Sequence, residues 1–193
     1  IQWKLAVILN MVYKTKPAAH GFVLDKNVAS NANGHVKKKY VFNIDLENFF
    51  DQIHFGRVRG MLMKPPYNLG EEAALVISQI ACYKGKLPQG APTSPILTNM
   101  VCAPLDTQLT KLAKKYNLQY SRYADDITFS TYKADFPVEI AYVDFNGVHV
   151  VTVLEELIKK NNFLINYNKV RISDYRQRQI VTGLVVNQFV NLR

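Results

Sequence analysis

The spacing of apolar side chains divides the chain into helical and extended segments. Apolar positions at helical spacing predict helices over 1–14, 47–63, 70–83, 94–116 and 150–162. An apolar run predicts a buried strand over 40–45, residues 119–131 predict a hairpin, and short strands joined by polar turns are expected within 163–190. This order predicts an α+β fold, built on a split βαβ antiparallel sheet with helices on one face.

Proline, glycine and polar residues mark the segments between these elements. Ser94 followed by Pro95 supplies an N-cap and a first-turn proline for the longest helix. The polar stretch 14–39 predicts a long structured loop, and loops of that length are usually functional or disordered. Residues 137–148 have no pattern that favours either a helix or a strand.

Composition narrows the class of partner. The chain of 193 residues carries 24 Lys and Arg against 15 Asp and Glu, a formal net charge of +9. Such an excess favours polyanionic partners through counterion release, and nucleic acid is preferred over a membrane surface. The longest apolar runs, such as 5–9 and 73–77, are far shorter than the roughly 20 residues of a spanning helix, so no membrane partner is expected.

The cysteines and the first residues bear on location. Cys82 and Cys102 lack the spacing of a zinc site and the density of a secreted disulfide scaffold, so a reducing, cytoplasmic location is expected. The chain starts without Met, inside an apolar helical pattern. We therefore expect it to be part of a longer protein rather than to open with a secretion signal.

Three acidic residues are the main candidates for catalysis. Asp125 and Asp126 lie at the expected tip of the hairpin, and Asp45 ends the apolar strand that precedes it in the chain. Carboxylates from separate strands that meet at one point can hold two metal ions, and hard oxygen ligands select Mg²⁺. An Asp-Asp pair in a turn is alternatively solvated surface. The flanking apolar runs and Asp45 favour a metal site for phosphoryl transfer.

A second candidate is the loop over 87–95, Leu-Pro-Gln-Gly-Ala-Pro-Thr-Ser-Pro. Its Gly90 allows backbone to approach a ligand closely just before a helix begins, although the loop alone is also typical of an ordinary helix entry. Together with Asp45, Phe50 and the acidic pair, this loop resembles part of the palm of reverse transcriptases. The ordered motifs match here as FNIDLENFFDQI, LPQGAPTSP and YADD.

Two further elements resemble those of bacterial retron reverse transcriptases. Residues 31–35 match an Asn-Ala-x-x-His element, and residues 181–183 match a Val-Thr-Gly element, in the expected order. The alternative for patterns this short is chance, and other bacterial reverse transcriptases share parts of them.

The resemblance extends over nearly all of the chain and implies a domain plan. Residues 1–40 would be partial fingers and a connecting loop, and 41–180 the palm, with a fingers insertion at about 60–90. Residues 181–193 would start the connection to a thumb, which is not within this chain.

The resemblance also implies roles for particular residues. The metal ligands would be Asp45, the Leu46 carbonyl, Asp125 and Asp126. The nucleotide site would include Phe50, which excludes a 2′-hydroxyl, with Gln89, Gly90 and Lys169. RNA contacts would come from Asn31, His35, Val181, Thr182 and Gly183. For a lone histidine or lysine the ordinary alternative is a structural or a solvated side chain.

These features together predict an RNA-directed DNA polymerase of retron type that uses two Mg²⁺ ions. A hydroxyl group would attack the α-phosphate of a dNTP. The resemblance implies a structured noncoding RNA as template and primer, a DNA product, a defence effector protein as a further partner, and anti-phage defence as the setting.

Several alternatives stay open. Another bacterial reverse transcriptase, of defence-associated, CRISPR-associated or group II intron type, shares the palm motifs. A non-catalytic nucleic-acid-binding palm domain has no physical reason to keep three converging carboxylates, because their repulsion is costly without metal. An RNA-dependent RNA polymerase would use the same acids, but usually has a smaller residue than Phe50.

Overall fold

The computed structural model describes residues 1–192, and the chain forms two compact units. The first unit comprises Ile1–Thr15 and Asn48–Ala103, and the second comprises Lys16–Glu47 and Pro104–Arg193. The palm and fingers boundaries expected from the sequence stay a prediction.

The helices and strands are numbered in chain order. The helices are α1 Gln2–Val12, α2 Val28–Asn33, α3 Phe55–Met63, α4 Glu71–Ala81, α5 Ser94–Tyr116 and α6 Thr152–Lys160. The strands are β1 Tyr40–Asp45, β2 Gln119–Tyr123, β3 Asp126–Thr131, β4 Ala141–Asp144, β5 Gly147–Val150, β6 Arg171–Asp174, β7 Ile180–Val181 and β8 Leu184–Val185. A single 3₁₀ turn over Tyr167–Lys169 precedes β6.

A four-stranded sheet is the centre of the second unit. Its strand order is β2-β3-β1-β6, and each neighbouring pair is antiparallel. Two separate ribbons are formed by β4 with β5 and by β7 with β8. The predicted α+β fold with an antiparallel sheet is confirmed.

The two faces of this sheet differ in chemistry because successive side chains of a strand point to opposite faces and register partners share a face. The apolar face carries side chains at most 1% exposed, from Phe42, Ile44, Ile127 and Phe129. The polar face carries the alternate residues of the same strands, including Asn43, Asp45, Asp126, Thr128 and Ser130.

Different elements cover the two faces. On the apolar face, Asp106 of α5 accepts a hydrogen bond from Tyr120 of β2. On the polar face, α2 and the β7–β8 ribbon cover the end away from the acidic residues. There Ala32, Val41, Val181 and Val186 form one buried cluster.

Three predicted segments differ from the structure. The helix expected from residue 47 begins at Phe55, because Asn48 adopts a left-handed conformation (φ 44°) and His54 caps the helix by accepting a bond from the Arg57 amide. The expected loop over 14–39 contains α2, which begins at a reciprocal cap between Asn27 and Ser30. The segment over 137–148, which had no predicted structure, contributes to the β4–β5 ribbon.

Two features bear on location and redox state. Both cysteines, Cys82 and Cys102, are free. Among residues 1–192, the helices are all too short or too polar to cross a membrane.

Candidate active site

Two of the three candidate acids are register partners at one end of the sheet. Asp45 is the last residue of β1, Asp126 is the first residue of β3, and the two are paired across the antiparallel ladder. Register partners on one face have their Cβ atoms about 5 Å apart. The two carboxylates therefore start from neighbouring points on the polar face, and Asp45 is only 6% exposed.

The third acid lies in the turn between β2 and β3. We call residues 123–126 the aspartate turn; its ends, Tyr123 and Asp126, are paired, and Ala124 adopts a left-handed conformation (φ 54°). The Leu46 amide donates a 3.1 Å hydrogen bond to the Asp125 carbonyl. This bond ties the turn to the residue after Asp45.

A lysine and an asparagine hold the Asp45 carboxylate. Lys169 Nζ lies 2.9 Å from Asp45 Oδ2, and Asn166 Nδ2 donates to Asp45 Oδ1 at 3.3 Å. The Asn166 amide also donates to the Asp45 carbonyl at 2.9 Å. The 3₁₀ turn after Asn166 thus brings the half-exposed Lys169 side chain to the acidic group.

The protonation behaviour of the acids reflects their crowding. Burial, followed by the charges of Asp125 and Asp45, raises the pKa of Asp126 to about 6. Burial and the charge of Asp45 also raise the pKa of Asp125. The hydrogen bond and charge of Asp45 raise the pKa of Lys169, so this lysine is a cation at neutral pH.

The donor set fits a divalent cation by chemistry. Within residues 1–192, no three His, Cys, Asp or Glu side chains converge closely enough to hold one metal ion in this conformation, in which Lys169 neutralises Asp45. Burial, with a smaller contribution from neighbouring carboxylates, raises the pKa of Asp125 and of Asp126, and a bound divalent cation would stabilise their charged forms. Carboxylate oxygens are also the ligands that Mg²⁺ prefers.

A small cavity of about 70 Å³ opens beside the two register partners. Its polar lining includes Asn43, Asp45, Asp126, Lys169, Arg171 and Thr182. The cavity therefore combines negative charge at the acids with two basic side chains and the turn of the β7–β8 ribbon.

The residues predicted to bind the nucleotide fall into both units. Lys169 lies beside Asp45, as described, whereas Phe50, Gln89 and Gly90 belong to the first unit. Phe50 is partly exposed and meets the buried Phe49 ring edge to face, with centroids 5.4 Å apart. Gln89 and Gly90 are exposed, and Gly90 has a φ of 85° that favours glycine. The nucleotide roles stay predictions.

The residues predicted to contact RNA are brought together in the second unit, but most are buried. Asn31 Nδ2 donates a 2.6 Å hydrogen bond to Thr182 Oγ1, and Val181 packs in the cluster that contains Ala32. The most accessible part of this group is the turn formed by the partly exposed Thr182 and the exposed Gly183, both at positive φ.

His35 lies in the interior of the second unit. Its Nδ1 is 2.6 Å from Ser130 Oγ and its Nε2 is 2.7 Å from Ser121 Oγ, so both ring nitrogens are bonded within the protein. Burial, with smaller contributions from Lys38 and His20, lowers the pKa of His35 to about 3. This geometry favours the structural alternative, and RNA contact by His35 stays a prediction.

Some residues of the site were not identified from the sequence. Asn166 carried no motif match that singled it out, although it precedes Lys169 by one short turn. Asn43 lies two residues before Asp45, and strand alternation alone places it on the same face. Arg122, beside the aspartate turn, is fully buried although it is charged.

Comparison with known proteins identifies the family. The family model described as reverse transcriptase (RNA-dependent DNA polymerase) matches residues 1–182. The chain is 36% identical to the retron Mx162 reverse transcriptase of Myxococcus xanthus, over 88% of this chain and 38% of that protein. It is 36% identical to the retron Ec86 reverse transcriptase of Escherichia coli, over 96% of this chain and 54% of that protein. The chain thus spans about half or less of the length of these relatives.

Solved structures agree on the fold. The telomerase of Candida albicans, solved with a fragment of telomeric RNA, superposes with a TM-score of 0.66 at 12% identity, over 97% of this chain and 37% of that one. The apo telomerase of Candida tropicalis, truncated from its C-terminal domain, superposes with a TM-score of 0.60 at 11% identity, over 98% of this chain and 44% of that one. With the acidic residues at the end of β1 and in the aspartate turn, the sequence match shows that this chain belongs to the reverse transcriptase family.

Proposed function

We propose that this chain is the catalytic part of an RNA-directed DNA polymerase of retron type, which copies a structured noncoding RNA into DNA. The observation that carries the proposal is the pairing of Asp45 with Asp126 across β1 and β3, with Asp125 tied to the same end of the sheet by the Leu46 amide. Identity to retron reverse transcriptases over most of the chain supports the retron type.

The acidic group would hold two Mg²⁺ ions through Asp45, Asp125, Asp126 and the Leu46 carbonyl. When bound, Mg²⁺ lowers the pKa of an attacking hydroxyl and neutralises charge on the phosphates. Lys169 holds the Asp45 carboxylate in place through their ion pair, and its exposed ammonium group would supply positive charge near the leaving pyrophosphate.

The remaining roles follow from exposure and position. Phe50 would contact the sugar of the incoming dNTP and exclude a 2′-hydroxyl, while Gln89 and Gly90 would line the nucleotide site. Gly183 and the partly exposed Thr182, at the wall of the cavity, would contact the primer or template RNA, with Asn31 bonded to the Thr182 hydroxyl and Val181 packed in the buried cluster beneath them. His35 would support this region from the interior.

A primer-extension assay in the full-length protein tests the polymerase proposal. Wild type is expected to extend a primer on an RNA template with dNTPs and Mg²⁺, and chelation of the metal should stop extension. Asp125→Asn is expected to slow extension about a hundredfold or more, because a metal ligand loses its charge. Asp135→Asn, an exposed acid after β3, is the matched control and should extend like wild type.

Nucleotide choice separates the proposal from an RNA-dependent RNA polymerase. With Phe50 intact, dNTP is expected to be incorporated in preference to rNTP, and Phe50→Ala should reduce that preference. A wild-type preference for rNTP would contradict the proposal.

The retron type has its own test. RNA that copurifies with the protein is expected to be one defined noncoding species carrying covalently joined DNA. A mixed RNA population without attached DNA would support another bacterial reverse transcriptase. The defence setting predicts that an effector protein is recovered in the same purification.

A further inference from the structure

The buried arginine beside the aspartate turn points to a role in the site. Arg122 of β2 and Asp106 of α5 form an ion pair with both side chains fully buried. Nε donates to Oδ1 and a terminal nitrogen donates to Oδ2, each at 2.8 Å. The Tyr120 hydroxyl also donates to Asp106 Oδ1, at 2.7 Å. This two-point geometry holds the plane of the guanidinium fixed.

The other end of the guanidinium reaches the aspartate turn. Arg122 Nη1 donates a 2.9 Å hydrogen bond to the carbonyl of Ala124. Ala124 is the left-handed residue of the turn and directly precedes Asp125. A non-glycine residue at positive φ persists only where surrounding contacts hold it, and this hydrogen bond is one of them.

A second contact holds the turn from its other side. A Cβ at Gly21 would lie 2.4 Å from the Ala124 amide nitrogen and 3.0 Å from the Tyr123 carbonyl carbon. The segment before Gly21 runs along β2: the Arg122 amide donates to Ala18, and the His20 amide donates to Arg122, both at 2.8 Å. Only glycine allows the backbone to pass this close.

We propose that Arg122 and Asp106 are positioning residues, which fix the aspartate turn against Gly21 so that Asp125 and Asp126 face Asp45. The pair touches none of the reacting atoms. Its effect on catalysis rests on the proposed polymerase function, whereas its effect on the turn does not.

The position of the aspartate turn can be followed without an activity assay, through hydrogen exchange of backbone amides at the two ends of the β1–β3 pair. The Leu46 amide donates to the Asp125 carbonyl, so its hydrogen exchange measures how well the turn is held. The Lys39 amide donates to the Thr131 carbonyl at the opposite end of the same strand pair and serves as the internal control. Exchange of both amides is measured by NMR without metal.

Two variants disturb the turn by different routes. Arg122→Lys keeps the charge but loses the planar fork, so it cannot bond both Asp106 oxygens and Ala124 at once. Gly21→Ala leaves the ion pair intact and pushes on the turn from the other side. Arg59→Lys, at the ion pair with Glu71, and Gly60→Ala, with no atom within 4 Å of the added Cβ, are the matched controls.

Both turn variants are expected to speed hydrogen exchange of the Leu46 amide at least tenfold relative to that of the Lys39 amide. In the extension assay, both should raise the Mg²⁺ concentration needed for half-maximal extension. Both should also lower the extension rate at saturating dNTP at least tenfold. The controls should match wild type. Temperatures are set equally far below each variant's Tm, so that general loss of stability does not enter.

If Arg122→Lys does not fold, the triple variant R122M/D106L/Y120F replaces the polar cluster with apolar side chains of similar volume, a change that buried ion pairs often tolerate. A folded triple variant with the wild-type Leu46 exchange ratio would overturn the proposal, as would the same result for Arg122→Lys. If wild type itself extends no primer, the polymerase proposal fails, and the exchange ratios still decide the positioning role.

Discussion

The two faces of the four-stranded sheet are built from alternate residues of the same strands, yet one forms part of the core and the other carries the candidate site. On the apolar face, Phe42 and Phe129 stack with centroids 6.1 Å apart, and the buried charge of Arg122 is fully paired with Asp106. On the polar face, Asp45 and Asp126 oppose each other, and the lysine that compensates them is half-exposed. One face is satisfied internally, and the other keeps unneutralised charge.

This contrast explains how one strand can contribute to both a core and a site. The apolar face stabilises the fold by burying rings and branched side chains. The acidic end of the polar face costs stability, because like charges lie on neighbouring strands there. Substitutions on the two faces should therefore separate stability from activity, and four measurements would break or sharpen that separation.

The largest effect is expected on the apolar face. Phe129→Ala removes a fully buried ring that packs on Phe42 and Tyr120, and should lower the free energy of unfolding by about 3–5 kcal/mol. Thr128→Ala, the next residue along β3 and on the polar face, should cost only about 1 kcal/mol through its bond from Asn43. Denaturant unfolding measures both, and equal losses would contradict the division of the sheet.

The second effect is a pH dependence caused by His35. Its pKa is about 3 when folded and 6.5 when unfolded, so the unfolded chain binds the proton first as pH falls. Stability from this residue is complete above pH 6.5 and is lost as pH falls toward 3. Between pH 7 and 5, wild type should lose about 2 kcal/mol more than His35→Gln. His20, Asp125 and Asp126 titrate in both proteins, so the difference isolates His35, and parallel pH profiles would rule it out.

The third effect is a pH dependence of stability caused by Asp126, and its sign is opposite to that of His35. Asp126 has its folded pKa raised to about 6, so at pH 7 its charge costs stability, and that cost disappears as pH falls through 6 toward 4. Asp126→Asn should therefore raise the free energy of unfolding of the metal-free protein at pH 7 by about 1–2 kcal/mol, allowing for solvent screening. Thermal unfolding with a chelator present measures it, with Asp135→Asn as control. A destabilised Asp126→Asn protein would show that the polar face carries no such cost.

The smallest effect concerns the two elements that resemble retron motifs. Asn31 and Thr182 are joined by a 2.6 Å hydrogen bond. A double-mutant cycle of Asn31→Ala and Thr182→Ala should give a coupling energy of about 1 kcal/mol. Unfolding midpoints of the four proteins provide the measurement, and additive losses would mean that the two elements act separately.

Much of the fold follows from local pattern. The run over β1 predicted its residues without error, because it is rich in aromatic and β-branched side chains and places Tyr40, Phe42 and Ile44 on one face. The start of α3 did not follow, because the left-handed conformation of Asn48 interrupts a segment whose apolar spacing is helical, and that spacing does not reveal such an interruption. The reciprocal cap at Asn27 and Ser30 was the local sign of α2, but it uses serine in place of the usual glutamate or glutamine.

The site was only partly accessible to sequence reasoning. The three aspartates share a conspicuous pattern of strand ends, and the antiparallel register of β1 and β3 brings Asp45 opposite Asp126. Burial of Arg122 and His35 could not be predicted, because charged and titratable side chains are ordinarily exposed. The long-range ion pair with Asp106 compensates the burial of Arg122, and hydrogen bonds with Ser121 and Ser130 compensate the burial of His35.

The outer side of β2 has a further consequence. A strand at the border of a sheet presents unpaired backbone groups to which another molecule's strand can add, a common route to aggregation. Here the segment that includes Ala18 and His20 occupies the backbone groups of Arg122. The same stretch of chain that packs against the aspartate turn thus also blocks the addition of another strand at Arg122.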